Sequence, residues 1–416
     1  MIVPAEKEFR NPVLVLGGYL RGLWAARILG KRGIDVYMVA NKSNVALFSR
    51  YCKRAFLVNR PLTSQEVLRK ILRELSGKLG ERPVVYPITD LDALNLSEMK
   101  DDLADDYCFV VGGKEPVDTI VNKSKFYKAL DRNRITYPIT YFPENRDDVG
   151  QVETKMTYPV FIRPAITELF MQTFGYGKKG FVAHSPKELE YYYRLATKNG
   201  IQVMFQEIIP GPPSNSYQLE GYYDSNHRPV CLFARQRLRI WPLDFGNTTL
   251  CVSVPLSELA REKEMVNKFI KNIQYTGLMS VEFKKDDRDG TLKLLEINGR
   301  LWLHFWLATE CGVDIIFCSY LDAIGKKTGY SQEYLTDVKS VYFQNDLKAS
   351  AEMLLRGELG FSEWVSSLQG KTRFTTFERG DLFPFVLNYA DLTRSSIRFA
   401  KSLCASMFDS GIERLR

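Results

Sequence analysis

Hydrophobic and polar residues alternate with a period of two on both sides of a short acidic turn near residue 289. Residues 278–284 read LMSVEFK, residues 291–298 read TLKLLEIN, and the sequence between them is rich in Asp and Gly. Such alternation around a turn predicts a β-hairpin. If the turn is centred at Asp289, Glu282 lies opposite Glu296, and Asn298 shares the face of Glu296.

The predicted hairpin brings two carboxylates together, which is unfavourable on neighbouring strands unless a cation lies between them. Carboxylate and amide oxygens suit Mg²⁺, which completes its shell with water and substrate phosphates, and the same ligands accept Mn²⁺. The sequence therefore predicts a metal site at Glu282, Glu296 and Asn298. Arg300 follows as a planar donor for phosphate or carboxylate. The alternative is a solvated face on which both Glu side chains pair with the hairpin lysines Lys284, Lys285 and Lys293.

The first third of the chain alternates apolar strands with helical segments. Residues 12–41 predict a strand, a glycine turn, a helix ending at Gly33 and a second strand, which together begin a parallel sheet. Further strand and helix patterns continue to about residue 113, which predicts a Rossmann-like sheet. NAD or FAD binding is disfavoured, because the glycines are spaced G-G-x-x-x-G and the second strand ends in Ala40 and Asn41 instead of an acid.

Basic and polar residues recur at the ends of the predicted elements between residues 117 and 240. A basic helix is followed by a buried strand, a Gly-rich basic loop, a strand ending in two polar residues, and a strand with arginines at every second position. Each feature alone also fits an ordinary solvated helix, turn or salt-bridged sheet face. The side chains concerned are Lys125, Arg163, Lys178, Gln206, Glu207, Arg235, Arg237 and Arg239.

Length and composition narrow the class of protein. A chain of 416 residues with 45% hydrophobic and 25% charged residues is ordinary for a globular protein and long enough for two or three domains. Seven scattered cysteines without a C-x-x-C pair indicate reduced thiols and a cytoplasmic protein. We expect neither a signal peptide nor a transmembrane segment. The net charge of +8 is modest and contains no basic block, so nucleic-acid binding is not expected.

The motif E…E-x-N-x-R on a late hairpin resembles the metal-binding end of the ATP-grasp superfamily, and the preceding features follow in that family's order. The resemblance covers roughly residues 12–325. It implies an α/β fold, with α+β character in the ATP-grasp part: a Rossmann-like preATP-grasp domain, a two-lobed ATP-grasp domain and a small C-terminal extension. The expected boundaries are 1–116 for the first domain, 117–200 and 201–328 for the two lobes, and 329–416 for the extension.

The resemblance also implies roles for individual residues. Lys125, Arg163, Lys178 and Arg237 are expected to bind nucleotide phosphates, although the family usually has lysine at the position of Arg163. Gln206, Glu207, Ile208 and Ile209 are expected at the hinge that holds adenine. Arg235 and Arg300 are the candidate catalytic residues, Arg235 at a nucleotide phosphate and Arg300 at a tetrahedral oxyanion. The acid that usually holds the ribose has no counterpart after Gly211.

The implied activity is ATP-dependent ligation. ATP phosphorylates a carboxylate, an amine displaces the phosphate, and an amide, ADP and phosphate result. The resemblance is greatest to amino-acid and D-aspartate ligases, and an amino acid or a peptide- or polysaccharide-linked group is the expected substrate. The sequence leaves two alternative functions open, a phosphotransferase and a nucleotide-binding scaffold whose catalysis has decayed. The oligomeric state is also open, and a homo-oligomer is compatible with the sequence.

Overall fold

The described residues of the computed structural model form three β-sheets surrounded by helices. The description covers residues 9–42, 44–58, 62, 64–145, 147–152, 155–327, 329 and 333–390. The three sheets have five, four and seven strands, and each is built from a consecutive part of the chain. This mixture of parallel and antiparallel sheets confirms the predicted fold class.

The five-stranded sheet is parallel, in the order β3-β2-β1-β4-β5. Strands β1, β2 and β4 are apolar along their whole length, because helices cover both faces of a parallel sheet. Ser64 caps α2, since its side chain accepts a hydrogen bond from the backbone N–H of Val67. The elements are β1 Val13–Leu16, α1 Tyr19–Gly30, β2 Val36–Ala40, β3 Cys52–Leu57, α2 Gln65–Leu75, β4 Val84–Pro87, α3 Asp90–Met99 and β5 Cys108–Phe109.

The four-stranded sheet is antiparallel, in the order β6-β9-β7-β8, and has its own apolar core. The strand predicted around Arg163 is fully buried, and the strand that ends in Glu207 pairs with it. The elements of this segment are α4 Lys114–Val121, α5 Lys123–Arg132, β6 Thr140–Tyr141, α6 Asp147–Gly150, β7 Val160–Pro164, α7 Thr167–Phe174, β8 Phe181–Ala183, α8 Pro186–Lys198 and β9 Val203–Glu207.

The seven-stranded sheet carries the hairpin, in the order β14-β13-β10-β11-β12-β15-β16. Its strands β15 and β16 come from the predicted C-terminal extension. β15 pairs with β12, and β16 pairs with β15 at the edge of the sheet. The elements are β10 Ser216–Tyr223, β11 Pro229–Trp241, β12 Asn247–Val254, α9 Ala260–Asn272, β13 Gly277–Lys285, β14 Leu292–Asn298, α10 Phe305–Glu310, α11 Ile315–Ala323, β15 Val338–Val341, α12 Phe343–Leu355, α13 Phe361–Ser367 and β16 Lys371–Phe374.

The apolar segment after the hairpin forms two short core helices, α10 and α11. Asp314 separates α10 from α11 and caps the second helix by accepting a hydrogen bond from the backbone N–H of Phe317. In the described ranges, none of the helices combines the length and the hydropathy that crossing a bilayer requires. The amphipathic helix predicted around residues 392–408 lies outside the described residues.

Candidate functional site

The hairpin of β13 and β14 brings the predicted metal ligands together. Glu282 pairs with Glu296 and Ser280 pairs with Asn298 in the strand register, which confirms the turn centred near Asp289. Residues paired across antiparallel strands have side-chain roots only about 5 Å apart. The Nδ2 amide of Asn298 donates to Oε1 of Glu296 at 3.2 Å, so the three side chains occupy adjoining positions.

Basic side chains from three other elements surround the carboxylate pair. Arg163 at the end of β7 donates through Nη2 to Oε2 of Glu296 at 2.7 Å, and Lys123 Nζ lies 3.4 Å from the same oxygen. Arg237 of β11 contacts Glu282, with Nη1 2.8 Å from Oε1. The two strands of the hairpin therefore face cations from α5, β7 and β11.

Lys123, and not Lys125, is the lysine of α5 that reaches this cluster. The helix begins at Lys123, which turns inward with its side chain 7% exposed. Lys125 lies two positions further along, about 200° around the helix axis, so it points outward and pairs with Asp118 while 53% exposed. Lys125 therefore does not reach the cluster, because helix phase relative to the sheet decides which side chain faces inward, and its nucleotide contact stays a prediction.

In the Gly-rich loop, the lysine that turns inward is the residue after the predicted one. Lys178 is exposed, whereas its neighbour Lys179 turns inward and lies 3.4 Å from the carbonyl oxygen of Gly246. Burial lowers the pKa of Lys179, and the negative charges of Glu296 and Glu282 partly offset that effect. The loop thus contributes Lys179 to the cluster, and the predicted phosphate contact at Lys178 is not supported by its position.

The charge balance of the cluster favours an anionic ligand. Burial by itself would raise the pKa of Glu296, but the positive charges of Lys123, Arg163 and Lys179 lower it below its ordinary value. Glu296 therefore stays ionised at neutral pH, as a metal ligand must. Four cations, including Arg237, face only two carboxylates, which leaves an excess of two positive charges.

The donor set fits Mg²⁺. Within the described ranges, no three or more His, Cys, Asp or Glu side chains gather as metal ligands would. Mg²⁺ usually binds through one or two carboxylates and completes its octahedron with water and substrate phosphates. Glu282, Glu296 and the amide of Asn298 match that pattern, and the surrounding cations would pair with phosphates once the carboxylates bind metal.

Arg235 lies in a different environment from the one expected. Its Nε donates to Oε1 of Glu220 at 2.6 Å, and both side chains are almost completely buried. Arg239 also lies apart from the carboxylate pair, because its guanidinium binds Asp346. The pairing of β11 with β12 shifts register on both sides of Arg239. The three arginines therefore do not share one ligand-facing surface. Arg235 is paired with Glu220 in this structure, and its phosphate contact stays a prediction.

The predicted hinge residues lie on β9 and just after it. Gln206 accepts a hydrogen bond from Nη1 of Arg163 at 2.9 Å, so it orients that guanidinium towards Glu296. Glu207 accepts from the backbone N–H of Ile139 and from Lys293 and Arg288. These contacts outweigh burial and lower the pKa of Glu207. Ile208 is half-buried and Ile209 is 5% exposed, and their contact with adenine stays a prediction.

Arg300 connects the hairpin to the five-stranded sheet. Its Nη2 donates to Oδ1 of Asn298 at 2.6 Å and its Nε to Oδ1 of Asp90 at 2.9 Å. Asp90 begins α3 after the strand end that the sequence shows as PITD. Lys123, Lys179 and Asp90 were not predicted as site residues. A signal existed for Lys123, because a cation at the first position of a helix opposes the helix dipole and needs another partner.

Sequence comparison finds a known ligase that is similar to this chain at low identity. No family model matches the chain. A D-aspartate ligase of Enterococcus faecium (strain Aus0004) is 24% identical over 258 residues, which is 60% of this chain and 61% of the relative. The chain thus spans about three fifths of the length of that curated relative.

Solved structures share the arrangement of the sheets at low sequence identity. The biotin carboxylase domain of Hydrogenobacter thermophilus 2-oxoglutarate carboxylase, solved with MgADP, ADP and bicarbonate, superimposes with a TM-score of 0.63 at 16% identity, covering 80% of this chain and 73% of that one. An L-amino acid ligase of Bacillus licheniformis gives 0.57 at 14%, covering 79% and 75%. At such identities the likeness establishes the fold.

Proposed function

The chain has the ATP-grasp fold, and from this premise we propose that it is an ATP-dependent ligase that joins a carboxylate to an amine and releases ADP and phosphate. One observation carries the proposal: Glu282 and Glu296 face each other inside a cluster of four cations on this fold. Triphosphate is an anion that such a cluster fits, and paired acidic ligands accommodate its Mg²⁺. The similarity to a D-aspartate ligase and an L-amino acid ligase supports the reaction class.

The residues divide into phosphate-binding and metal-binding groups. Lys123, Arg163, Lys179 and Arg237 are proposed to bind the phosphates of ATP, each as a charged hydrogen-bond donor. Glu282, Glu296 and Asn298 would hold Mg²⁺, which when bound neutralises charge on the phosphates during transfer.

Carboxylate activation precedes amide formation in the proposed sequence. A carboxylate oxygen of the substrate attacks the γ-phosphorus of ATP, ADP leaves, and an acyl phosphate forms. The amine then attacks the carbonyl carbon. Arg300, fixed by Asp90 and Asn298, is proposed to stabilise the negative charge that develops on the carbonyl oxygen.

Amino acids are the proposed substrates, because both ligases similar to this chain are named for them. A peptide- or polysaccharide-linked acceptor fits the same chemistry. We propose a cytoplasmic location, which the free thiols of Cys52, Cys108, Cys231, Cys251, Cys311 and Cys318 support.

The decisive experiment measures ADP release by the purified protein with ATP, Mg²⁺ and pools of carboxylates and amines, followed by mass spectrometry of the products. We expect release that requires both pools, together with a product whose mass equals the two substrates less water. Glu296→Gln is expected to abolish turnover while circular dichroism remains unchanged, and Glu310→Gln, at a surface pair with Arg373, is the matched control. ADP release that needs only one pool would identify a phosphotransferase instead. Binding of ATP without turnover across the whole panel would identify a scaffold.

A further inference from the structure

Four charged side chains from separate segments meet where the five-stranded sheet adjoins the hairpin. Arg300 donates through Nε to Asp90, and the backbone N–H of Asp90 donates to Oε1 of Glu168 at 3.1 Å. Glu168 lies in the first turn of α7, directly after the strand that carries Arg163. Arg21 of α1 is close enough to interact electrostatically with the other three, and it donates a hydrogen bond to the carbonyl oxygen of Ile88.

A continuous series of hydrogen bonds links Glu168 to the carboxylate pair. It begins at Glu296, which accepts from Asn298 at 3.2 Å, and continues through Arg300, which donates to Asn298 at 2.6 Å and to Asp90 at 2.9 Å. Glu168 is the last member of this series. Asn298, Arg300 and Asp90 therefore separate its carboxylate from Glu296 along the series.

One oxygen of Glu168 is buried with no hydrogen-bond partner among the described residues. This oxygen is Oε2, whereas Oε1 accepts the backbone N–H of Asp90. Burial, reinforced by the negative charge of Asp90, raises the pKa of Glu168 to about 7, although the positive charge of Arg300 opposes the shift. A buried carboxylate oxygen without a donor is unfavourable, so a donor group supplied by a substrate would stabilise it.

We propose that Glu168 binds the ammonium group of the amine substrate and acts as the general base that deprotonates it. This inference rests on the proposed ligase function. One Glu168 oxygen takes a proton from R–NH₃⁺, and the free amine forms a C–N bond with the carbonyl carbon of the acyl phosphate. The C–O bond to phosphate then breaks, the phosphate leaves with the electron pair, and the second amine proton is transferred to it. The proton on Glu168 is released to solvent after product leaves.

Neighbouring acids do not fit this role as well. Asp92 also has a buried oxygen without a partner, Oδ1, and burial raises its pKa to about 6. However, Asp92 is only 1% exposed, and its Oδ2 accepts the backbone N–H of Thr89 in the capping box of α3, so it serves the helix. Asp90 is held by Arg300 in a salt bridge. Glu168 is half-buried, has an oxygen without a partner, and has a pKa near neutrality, so about half of it is ionised at neutral pH and it accepts a proton readily.

The test compares two nucleophiles in the variant Glu168→Gln, with purified full-length protein, ATP, Mg²⁺ and a carboxylate selected from an amino-acid panel. Hydroxylamine is uncharged at neutral pH and traps an acyl phosphate as a hydroxamate without needing a base. An amino-acid amine is protonated and does need one. Glutamine retains an oxygen that accepts the Asp90 N–H, so the fold is preserved. Glu74→Gln, on the exposed surface of α2, is the matched control.

We expect Glu168→Gln to reduce amide formation by roughly 10²- to 10⁴-fold while hydroxamate formation stays within about 3-fold of wild type. Wild-type amide formation is also expected to decline as pH falls through about 7, and the variant should lack this decline after correction for amine protonation. Equal losses with both nucleophiles would assign Glu168 a purely structural role and overturn the proposal. So would an unchanged rate of amide formation. If wild type forms no hydroxamate with any carboxylate, the ligase function itself fails and this inference fails with it.

Discussion

Replacing Lys123 or Lys125 by alanine tests which lysine of α5 binds ATP. Lys123 lies 3.4 Å from Glu296 with its side chain 7% exposed, whereas Lys125 pairs with Asp118 on the surface and is 53% exposed. The two positions share one helix and one side-chain type, so each variant is a control for the other. We expect Lys123→Ala to weaken ATP binding and Lys125→Ala to leave it nearly unchanged.

The size of the effect follows from the two environments. A hydrogen bond between charged groups in a partly buried site contributes about 1.5–3 kcal/mol, and each 1.4 kcal/mol changes a dissociation constant about tenfold. Lys123→Ala should therefore raise the Kd for ATP by roughly 10- to 150-fold. An exposed ion pair contributes about 0–1 kcal/mol, so Lys125→Ala should change Kd by less than about 5-fold. The fold is retained in Lys123→Ala because Arg163 still pairs with Glu296.

Isothermal titration calorimetry of ATP binding in the presence of Mg²⁺ gives both constants, and thermal unfolding followed by circular dichroism confirms that each variant is folded. Equal Kd values for the two variants, or a larger effect at Lys125, would refute the assignment of the inward face of α5. Repeating the titrations at higher salt adds a check, since a buried contact is screened less than an exposed one.

Two further predictions concern stability. Asp346 is fully buried and accepts hydrogen bonds from Arg239, Thr249 and Trp364. Asp346→Asn should lower the free energy of unfolding by about 3–5 kcal/mol, because it leaves the guanidinium of Arg239 unpaired. Urea denaturation measures this loss, and a loss no larger than that of the surface variant Glu352→Gln would contradict the prediction. Glu168 has a pKa raised from 4.5 to about 7 by burial and by Asp90, so the stability it contributes is fully present below pH 4.5 and is lost as pH rises through 7. The free energy of unfolding of Glu168→Gln should consequently rise relative to that of wild type between pH 5 and 8, by at most about 3 kcal/mol. If the difference in unfolding free energy between the two proteins does not vary with pH over that range, burial does not perturb the Glu168 carboxyl group.

The sequence was sufficient wherever a local pattern determines the structure. The turn near Asp289 and the alternation on both sides of it set the register that pairs Glu282 with Glu296. The Ser64 cap of α2 and the parallel strands of the first sheet follow equally from short-range patterns. The boundaries of the domains and the catalytic roles stay predictions, since the structure describes positions and contacts.

The sequence is less informative where two separately folded elements must be placed against each other. Periodicity gives the faces of α5 but does not say which face meets the hairpin, so it does not show that Lys123, and not Lys125, lies beside Glu296. Regular alternation along β11 predicts a common face for its arginines, but irregular pairing with β12 and the buried Asp346 separate Arg239 from the others. The local sequence gives no signal for Glu168, because its partners Asp90 and Arg300 come from segments far away in the chain.

The C-terminal strands have a consequence for dissecting this protein. β15 pairs with β12 through Leu250, Cys251 and Val252, and it carries the chain on to α12, whose Asp346 neutralises Arg239. A shortened chain that stops at residue 328 would therefore expose the backbone hydrogen-bonding groups of β12 as an open edge, which invites aggregation. Any attempt to isolate the proposed active site should keep the chain through residue 390, because activity lost on shorter forms would report a damaged sheet instead of a missing regulatory segment.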